Sequence, residues 1–201
     1  MRLSSRMIVV LTSIGLLSGS LLVSVNFLTR DRIALNKKQE IEEAITQVIP
    51  GTQASQKLYE EKEFAVYTGK NDAGATLGFA IQTTAAGFQD KISLIVGTNP
   101  SLNKITSLFI LDQKETPGLG AKISSYDLFL RFWEDKDCSV PLRLRKPAVQ
   151  TPEQLSSSEV NTITGATVSS ESVLNCVNSS LEKARKLKAE GKFRIEEKSA
   201  E

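Results

Sequence analysis

The chain has 201 residues, with 25 basic and 23 acidic side chains, two cysteines and no histidine. This length has room for one membrane segment and one globular domain, and a formal charge of +2 is too small to indicate nucleic acid as a partner. Without histidine, Ser-His catalysis and histidine-ligated metal centres are excluded, so redox or transfer chemistry requires a cofactor.

Residues 7–28 contain no charged side chain and are rich in Ile, Val and Leu. A run of this length matches the roughly 20 residues that cross a bilayer as a helix. A cleaved signal peptide is the alternative, but the run is long for a signal core and no small-x-small cleavage site clearly follows it. We interpret residues 1–29 as an uncleaved anchor. Basic residues flank it on both sides, and their literal count places the following domain in the cytoplasm.

A polar stretch, about residues 31–49, carries apolar side chains on one helical stripe. The stripe consists of Ile33, Ile41, Ala44, Ile45, Val48 and Ile49. Pro50 and Gly51 both break helices and end the pattern. We predict that residues 30–50 form a helical stalk that packs one face on the domain.

The next part of the chain predicts strands separated by turn-rich pieces, because apolar and polar residues alternate. We place these strands at residues 63–68, 76–83, 91–97 and 104–112. Their short connections predict antiparallel neighbours, since a parallel crossover needs a dozen or more residues.

The rest of the domain predicts a helix at residues 124–134, a short strand at 140–145 and an amphipathic helix at 168–187. The fold class is therefore α+β: one N-terminal transmembrane helix, then a mainly antiparallel sheet with flanking helices. We assign residues 51–190 to this domain and residues 191–201 to a flexible charged tail.

Cys138 and Cys176 are far apart in sequence and outside any CxxC pattern. That spacing argues against a zinc or iron–sulfur site built from this chain alone. It leaves a disulfide between them open, because sequence spacing does not establish contact.

The stretch Thr162-Ile-Thr-Gly-Ala-Thr-Val-Ser-Ser170 joins an extended segment to the last predicted helix. A hydroxyl at Thr167 would lie near the unpaired N–H groups and positive dipole end of that helix, where a phosphate is stabilised. The simpler interpretation is that Thr167, Ser169 and Ser170 only cap the helix.

Within this stretch, Thr164-Gly165-Ala166-Thr167-Val-Ser169 resembles the [S/T]-G-A-T-x-[S/T] signature of the FMN-binding domain family. The resemblance implies that FMN is covalently attached to Thr167 through a phosphoester by a flavin transferase. A second stretch, Glu115-Thr-Pro-Gly-Leu-Gly-Ala-Lys122, resembles the ETPGLG-x-K segment of the same family. Both motifs are similar to those of the G subunit of Rnf (Rsx) ion-translocating complexes and of the related C subunit of sodium-translocating NADH:quinone reductase.

Pro117 and Gly118 of the second motif predict a turn, and its glycines permit close backbone approach to a flat ring. With the resemblance, we expect the motif to line a flavin pocket. The expected cofactor-binding residues are Thr167, Thr164, Gly165, Ala166, Ser169, Glu115, Thr116, Leu119, Gly120 and Lys122. We expect no catalytic residue and no metal site, and Lys122 is a candidate for stabilising a reduced flavin by its charge.

Two positions depart from the family pattern. Asn161 stands where the flavin transferase recognises an acidic residue, and residues 87–91 replace a Gly-Tyr-Gly-Gly-type turn.

The resemblance implies a single-pass protein of the bacterial inner membrane with its soluble domain on the periplasmic side. Its partners would be the other integral-membrane subunits of an Rnf-type complex, which transfers electrons between ferredoxin and NAD and moves ions. This chain alone would turn over no substrate. A non-redox membrane-anchored binding module and a stand-alone flavinylated carrier are the alternatives.

Overall fold

The computed structural model describes residues 3–193, and the chain divides into two compact units, residues 1–40 and 41–201. Residues 1, 2 and 194–201, which include most of the predicted tail, lie outside the described residues.

Helix α1, Leu3–Val48, contains the predicted anchor. Its apolar part has the length and composition of a membrane span, and none of the side chains in its most apolar 18-residue window is buried. A core helix of a soluble protein would bury that window. Exposed apolar side chains such as Leu17 and Phe27 instead match a lipid environment.

Five antiparallel strands form the main sheet in the order β1-β2-β3-β4-β5. They are β1 Ala54–Glu61, β2 Phe64–Lys70, β3 Thr76–Ala86, β4 Lys91–Thr98 and β5 Ile105–Asp112. The four predicted strands and their antiparallel pairing are confirmed. Strand β1 was not predicted. It lies at the edge of the sheet with mostly exposed side chains, so its sequence lacks apolar alternation.

The two faces of the sheet bury different side chains, because successive residues of a strand point to opposite faces. Val66, Ile81 and Leu94 pack in a core that includes helix α2, Thr167–Ala189. The opposite face packs against the end of α1. There the buried residues are Ala44, Ile45 and Val48 from the helix, Ile49 directly after it, and Ala65, Tyr67, Ala80 and Ile95 from the sheet. The predicted stripe of the stalk is therefore buried from its middle to its end, and helix α2 matches the last predicted helix.

The helix predicted at residues 124–134 is wrong. Two short 3₁₀ helices, Gly120–Ser124 and Leu130–Trp133, occupy this region instead. Between Phe129 and Trp133, four of five side chains are buried, more than one stripe of an α-helix can direct to a core.

The predicted strand at 140–145 is reduced to β6, Arg143–Arg145, which pairs in parallel with β7, Glu159–Asn161. Within residues 3–193 both cysteines are free thiols, so the disulfide is not formed. Cys138 packs in the core and Cys176 lies 3.4 Å from Thr83 Oγ1; burial raises the pKa of both thiols.

Candidate functional site

Helix α2 begins directly after a tight turn in the Thr-Gly-Ala-Thr motif. The N–H of Ala166 donates to the carbonyl of Ile163 (2.9 Å), and Gly165 has a φ of +83°. A positive φ at the third residue is typical of a type II turn and favours glycine. The turn makes Thr167 the first residue of the helix.

The Thr167 side chain is half-buried, and among the described residues its hydroxyl makes no hydrogen bond. Backbone N–H groups at a helix start have no intrahelical acceptor. The first turn of α2 contains no acidic residue, and Glu171 beyond it is paired with Lys146. The start of α2 therefore places an unbonded hydroxyl beside unpaired donors, which favours an anion.

No side-chain hydrogen bond caps the start of α2, and Ser170 bonds back to the turn before the helix. Ser170 Oγ accepts the Ile163 N–H (3.3 Å) and donates to the Ala166 carbonyl (2.9 Å). The interpretation that Thr167, Ser169 and Ser170 only cap the helix is therefore wrong for all three hydroxyls.

Ser169 joins the two motifs. Its hydroxyl donates to Glu115 Oε2 over 2.6 Å, across 54 positions of sequence. Glu115 is only 5% exposed, and its other carboxyl oxygen, Oε1, accepts the Gln89 N–H (3.0 Å). The carboxylate of Glu115 therefore connects residues 87–91 and 115–120 to the segment 162–169, and these three segments are called here the site loops.

Burial would raise the pKa of Glu115, but the Ser169 hydroxyl and backbone N–H groups of the 87–91 loop outweigh it and hold that pKa below its usual value. These N–H groups belong to Phe88, Gln89 and Asp90. The structure thus favours the ionised carboxylate, which accepts several donors at once.

The Pro-Gly turn predicted in the second motif is confirmed. The Leu119 N–H donates to the Thr116 carbonyl (3.1 Å), and Gly118 has a φ of +78°. The turn directs Leu119 toward the first motif, because a Cβ built on Gly165 would lie 3.3 Å from Leu119 Cδ2. Leu119 itself is 49% exposed, so it offers an apolar surface beside the start of α2.

Gly120 is required by packing. A Cβ at this position would lie 2.7 Å from Ser169 Oγ and 2.9 Å from Glu115 Cβ, closer than real Cβ atoms approach. Gly87 meets the same carboxylate from the other side, with a built Cβ 2.9 Å from Ile92 Cδ1. The Glu115–Ser169 hydrogen bond therefore exists only because glycine leaves room for it.

The 87–91 loop departs from the family pattern but belongs to the site. Gln89 Oε1 accepts the Thr116 hydroxyl (3.1 Å), in addition to the bond from its N–H to Glu115. The adjacent Phe88 is 71% exposed.

A cavity of about 230 Å³ lies beside the site loops. Lys122 and Thr164 line it, together with Arg131, Phe132 and Thr162. Lys122 forms no ion pair among residues 3–193, so its charge is available to this cavity.

The structure brings most of the predicted residues together. Direct packing or hydrogen bonds join Glu115, Thr116, Leu119, Gly120, Gly165 and Ser169 within the site loops. Ala166 is buried in the core, whereas Thr164 and Lys122 line the cavity. Sequence reasoning missed Gln89, Arg131 and Thr162. Of these, Thr162 lies within the first motif, whereas nothing local in the sequence distinguishes Arg131.

Asn161 is buried, and its side-chain amide bonds to the backbone of Val149. Its Oδ1 accepts the Val149 N–H (2.9 Å) and its Nδ2 donates to the Val149 carbonyl (3.0 Å). An aspartate would accept the first bond but could not donate the second while ionised. The departure from an acidic residue therefore has a structural role in this chain.

Residues 87–182 match the FMN-binding domain family, and this segment contains all three site loops. The resemblance that the two motifs indicated is therefore confirmed over this segment.

Three relatives are similar to this chain in sequence. The chain is 23% identical over 185 residues to the G subunit of the ion-translocating oxidoreductase complex of Methanosarcina acetivorans, covering 89% of this chain and 93% of that one. It is 29% identical to the G subunit of the Na(+)-translocating ferredoxin:NAD(+) oxidoreductase complex of Acetobacterium woodii, over 61% of this chain and 56% of the relative. The G subunit from Haemophilus influenzae is 32% identical, over 61% of this chain and 63% of its own length. The chain thus spans less than two thirds of the last two relatives.

The crystal structure of Shewanella oneidensis NqrC shares the fold. It superposes with a TM-score of 0.53 at 18% identity, over 72% of this chain and 74% of that one. The predicted fold class is thus confirmed.

Proposed function

We propose that this protein is a flavoprotein subunit of a membrane-bound, ion-translocating electron-transport complex of the Rnf type. It would carry FMN attached covalently to Thr167 and pass electrons between other subunits. The observation that supports this most is the unbonded Thr167 hydroxyl at the start of α2, beside two family motifs joined through Glu115 and Ser169.

The residues present fit FMN. A phosphate at Thr167 would meet unpaired backbone donors and no acidic side chain in the first helical turn. The cavity beside the motif is lined by the cations Lys122 and Arg131 and by Thr162 and Thr164. FMN, when bound, supplies one- and two-electron chemistry that no side chain of this histidine-free chain provides.

Each part of the site has a separate task in this proposal. Thr167 would supply the hydroxyl to which the flavin transferase attaches the FMN phosphate. Glu115 and Ser169 position the second motif against the first, and Leu119 offers an apolar surface to the cofactor. Attachment through the phosphate would leave the ring to be held by the loops. Because flavin itself takes one or two electrons, no general acid or base of the protein is required.

The names of the relatives suggest the partners and the location of this chain in the cell. Those that are G subunits of ion-translocating oxidoreductases suggest membrane partners, and the Acetobacterium relative suggests ferredoxin and NAD as electron partners of the assembly. We propose residues 1–29 as the inner-membrane anchor, 30–50 as a stalk and 51–190 as a periplasmic flavin domain. A flavin transferase would attach the cofactor.

Co-expression with a flavin transferase tests this function. We expect a band with flavin fluorescence on a denaturing gel and an intact mass equal to the chain plus one phosphoester-linked FMN. Thr167→Ala should abolish both signals, whereas Ser179→Ala, an exposed hydroxyl on the same helix, should leave them unchanged. A dark wild-type band, with the transferase active on another substrate, would favour a non-redox binding module.

Purification from native membranes then separates two flavoprotein roles. Stoichiometric recovery with integral-membrane redox subunits supports a role within a complex. A flavinylated chain that purifies alone under mild detergent would instead be a stand-alone carrier.

A further inference from the structure

Strand β3 extends past the end of its neighbour β2. The pairing of β2 with β3 ends at Phe64, opposite Thr83, whereas β3 continues to Ala86. On its other side β3 is paired to the end, since Ala86 lies opposite Lys91 of β4. Residues 84–86 therefore have a partner strand on one side only.

The backbone groups of Thr84 and Ala86 point to this open side. In an antiparallel pair, alternate residues exchange both of their backbone hydrogen bonds with the neighbouring strand. The Gly87 N–H donates to the Asp90 carbonyl (2.9 Å), so the odd-numbered residues at this end of β3 direct their N–H and C=O groups to β4. Thr84 and Ala86 then face away from β4, and the described residues offer neither of them a backbone partner there.

A space of about 490 Å³ lies along this open edge, and we call it the edge slot. Four consecutive residues of β3, 83–86, line it. Because the side chains of a strand alternate between its two faces, consecutive lining residues indicate a space along the strand edge. The tip of the β1–β2 hairpin, Lys62 and Glu63, also lines it. Helix α2 forms a further wall with mostly small side chains, from Ser172, Asn175, Cys176, Ser179, Ser180 and Lys183.

An extended peptide is the occupant that the edge slot fits. The N–H and C=O groups along a strand edge pair with those of another extended backbone, as in β-strand addition. The α2 wall from Ser172 to Lys183 is about 16 Å long at 1.5 Å per residue, which matches a strand of about five residues. Small side chains on this wall leave room for those of an added strand.

The outer edge of the sheet differs from this end of β3. Strand β1 has a register shift between Lys57 and Tyr59, and Lys57 forms an ion pair with Glu60. Irregular and charged edges discourage the addition of a strand. Residues 84–86 carry no charge and pair with β4 in an unbroken register. Of these two edges, only the end of β3 is suited to a further strand.

The charges around the edge slot favour an acidic segment. Lys183 pairs with Glu61, so these two charges balance. Lys91 likewise pairs with Glu63. Lys62 is exposed and forms no ion pair within residues 3–193. A carboxylate on the incoming strand would supply the opposite charge.

We propose that the edge slot binds an extended, acidic segment of another subunit, which pairs with residues 84–86 as an added strand. The inference rests on the proposed function, because it requires partner subunits. Residue 86 directly precedes the 87–91 site loop, and Ser172 lies about one helical turn after Ser169. The added strand holds the partner beside the site loops without occupying them.

Hydrogen exchange tests the pairing in the full chain, alone and within its native membrane assembly. In the chain alone, the amides of Thr84 and Ala86 should exchange rapidly, whereas the Ala85 amide, which points to β4, should be protected. In the assembly, exchange at Thr84 and Ala86 should slow by about tenfold or more. Protection of both amides in the chain alone would overturn the proposal.

Two substitutions at position 86 separate backbone pairing from side-chain contact. Ala86→Pro removes the N–H that faces the edge slot but no bond to β4, and proline is tolerated at such strand positions. It should lower recovery of the chain with its partners in mild detergent about tenfold, because it blocks strand addition. Ala86→Val keeps the N–H and should be recovered like the wild type. Equal recovery of the two variants contradicts strand pairing.

Lys62→Glu tests the charge of the partner segment and stands even if Ala86→Pro fails to fold. Lys62 is exposed, so the chain alone should unfold at the same temperature, while recovery with partners should fall about fivefold. Lys186→Glu, at an exposed position of α2 outside the slot, should not lower recovery. A carbodiimide, which joins amines to carboxylates, should link Lys62 to an acidic residue of another subunit. Links from Lys62 to this chain alone would refute the acidic segment.

The outcomes also separate this inference from the proposed function. A flavinylated chain that purifies without partners overturns the role within a complex, and this inference with it. A chain recovered with its partners, whose Thr84 and Ala86 amides exchange as fast as in the chain alone, overturns the strand pairing only.

Discussion

The sheet core and the site loops are both buried, but they exclude water from different kinds of groups. Between the main sheet and α2, side chains such as Phe79, Ile81 and Val177 are fully buried and apolar. The site loops instead bury a carboxylate, Glu115, and its serine partner, and two glycines make room for them. The core is stable because of area removed from water, whereas the site depends on matched hydrogen bonds in limited space. The core therefore needs apolar volume, and the site needs particular polar atoms.

The largest loss of stability should come from removing a large buried side chain from the core. Phe79 is fully buried, with its ring 5.4 Å from that of Phe193, so Phe79→Ala should lower the free energy of unfolding by about 4 kcal/mol. Phe88→Ala, at an exposed phenylalanine of the site loops, should change it by less than about 0.5 kcal/mol. Urea unfolding of both variants measures the difference, and equal losses would show that the 87–91 loop is as tightly packed as the core.

The second largest loss of stability should come from overpacking at the site. Gly120→Ala would force a Cβ into Ser169 and Glu115, and we expect a loss of about 3 kcal/mol together with reduced flavinylation. Gly118→Ala is the matched control in the same loop, since its built Cβ meets nothing within 4 Å. It bears only the strain of a positive φ, about 1 kcal/mol. Similar losses for both variants would mean that the two glycines act through backbone conformation alone.

Removing the charge of Glu115 should lower the free energy of unfolding by somewhat less than Gly120→Ala does. Glu115→Gln weakens charge-assisted bonds from Ser169 and the 87–91 loop, and we expect a loss of about 2 kcal/mol at pH 7. The pKa of Glu115 is lower in the folded than in the unfolded chain, so its contribution is complete above the unfolded value, about 4.3. It decreases as pH falls from there through the folded value.

Stability curves against pH measure that contribution. The difference in free energy of unfolding between wild type and Glu115→Gln should shrink as the pH falls below about 4.3. Lys91–Glu63 and other exposed pairs titrate in both proteins and cancel in this difference. A difference that stays constant down to about pH 2 would show that the charge of Glu115 is unimportant and that only its shape matters.

The smallest loss of stability should come from changing Asn161, the residue before the first motif that departs from the family pattern. Asn161→Asp replaces a donor to the Val149 carbonyl with an acceptor, and we expect a loss of about 1 kcal/mol at pH 7. Asn175→Asp, at an exposed position of α2, should be nearly neutral. Thermal unfolding at matched pH measures both variants. An unchanged or raised melting temperature for Asn161→Asp would show that the Val149 contacts do not stabilise the site.

Local patterns predicted the regular elements of the domain because they report burial over a few residues. Alternation in Ile92, Leu94 and Val96 identified β4, and three-and-four spacing identified α2. The same reasoning failed at residues 124–134, where the apolar residues were too dense for one helical face. It also missed β1, whose exposed side chains carry no such pattern.

The sequence by itself determined the long apolar helix at the N-terminus, the α+β order of elements and the two motifs of the site, because each depends on residues that are neighbours in sequence. Only the tertiary structure decided that Ser169, and not Thr167, bonds to Glu115, and that Arg131 and Thr162 line one cavity. These contacts join residues that are 54 and 31 positions apart. No local propensity encodes such pairs, since they form only when the whole sheet and α2 bring their loops together.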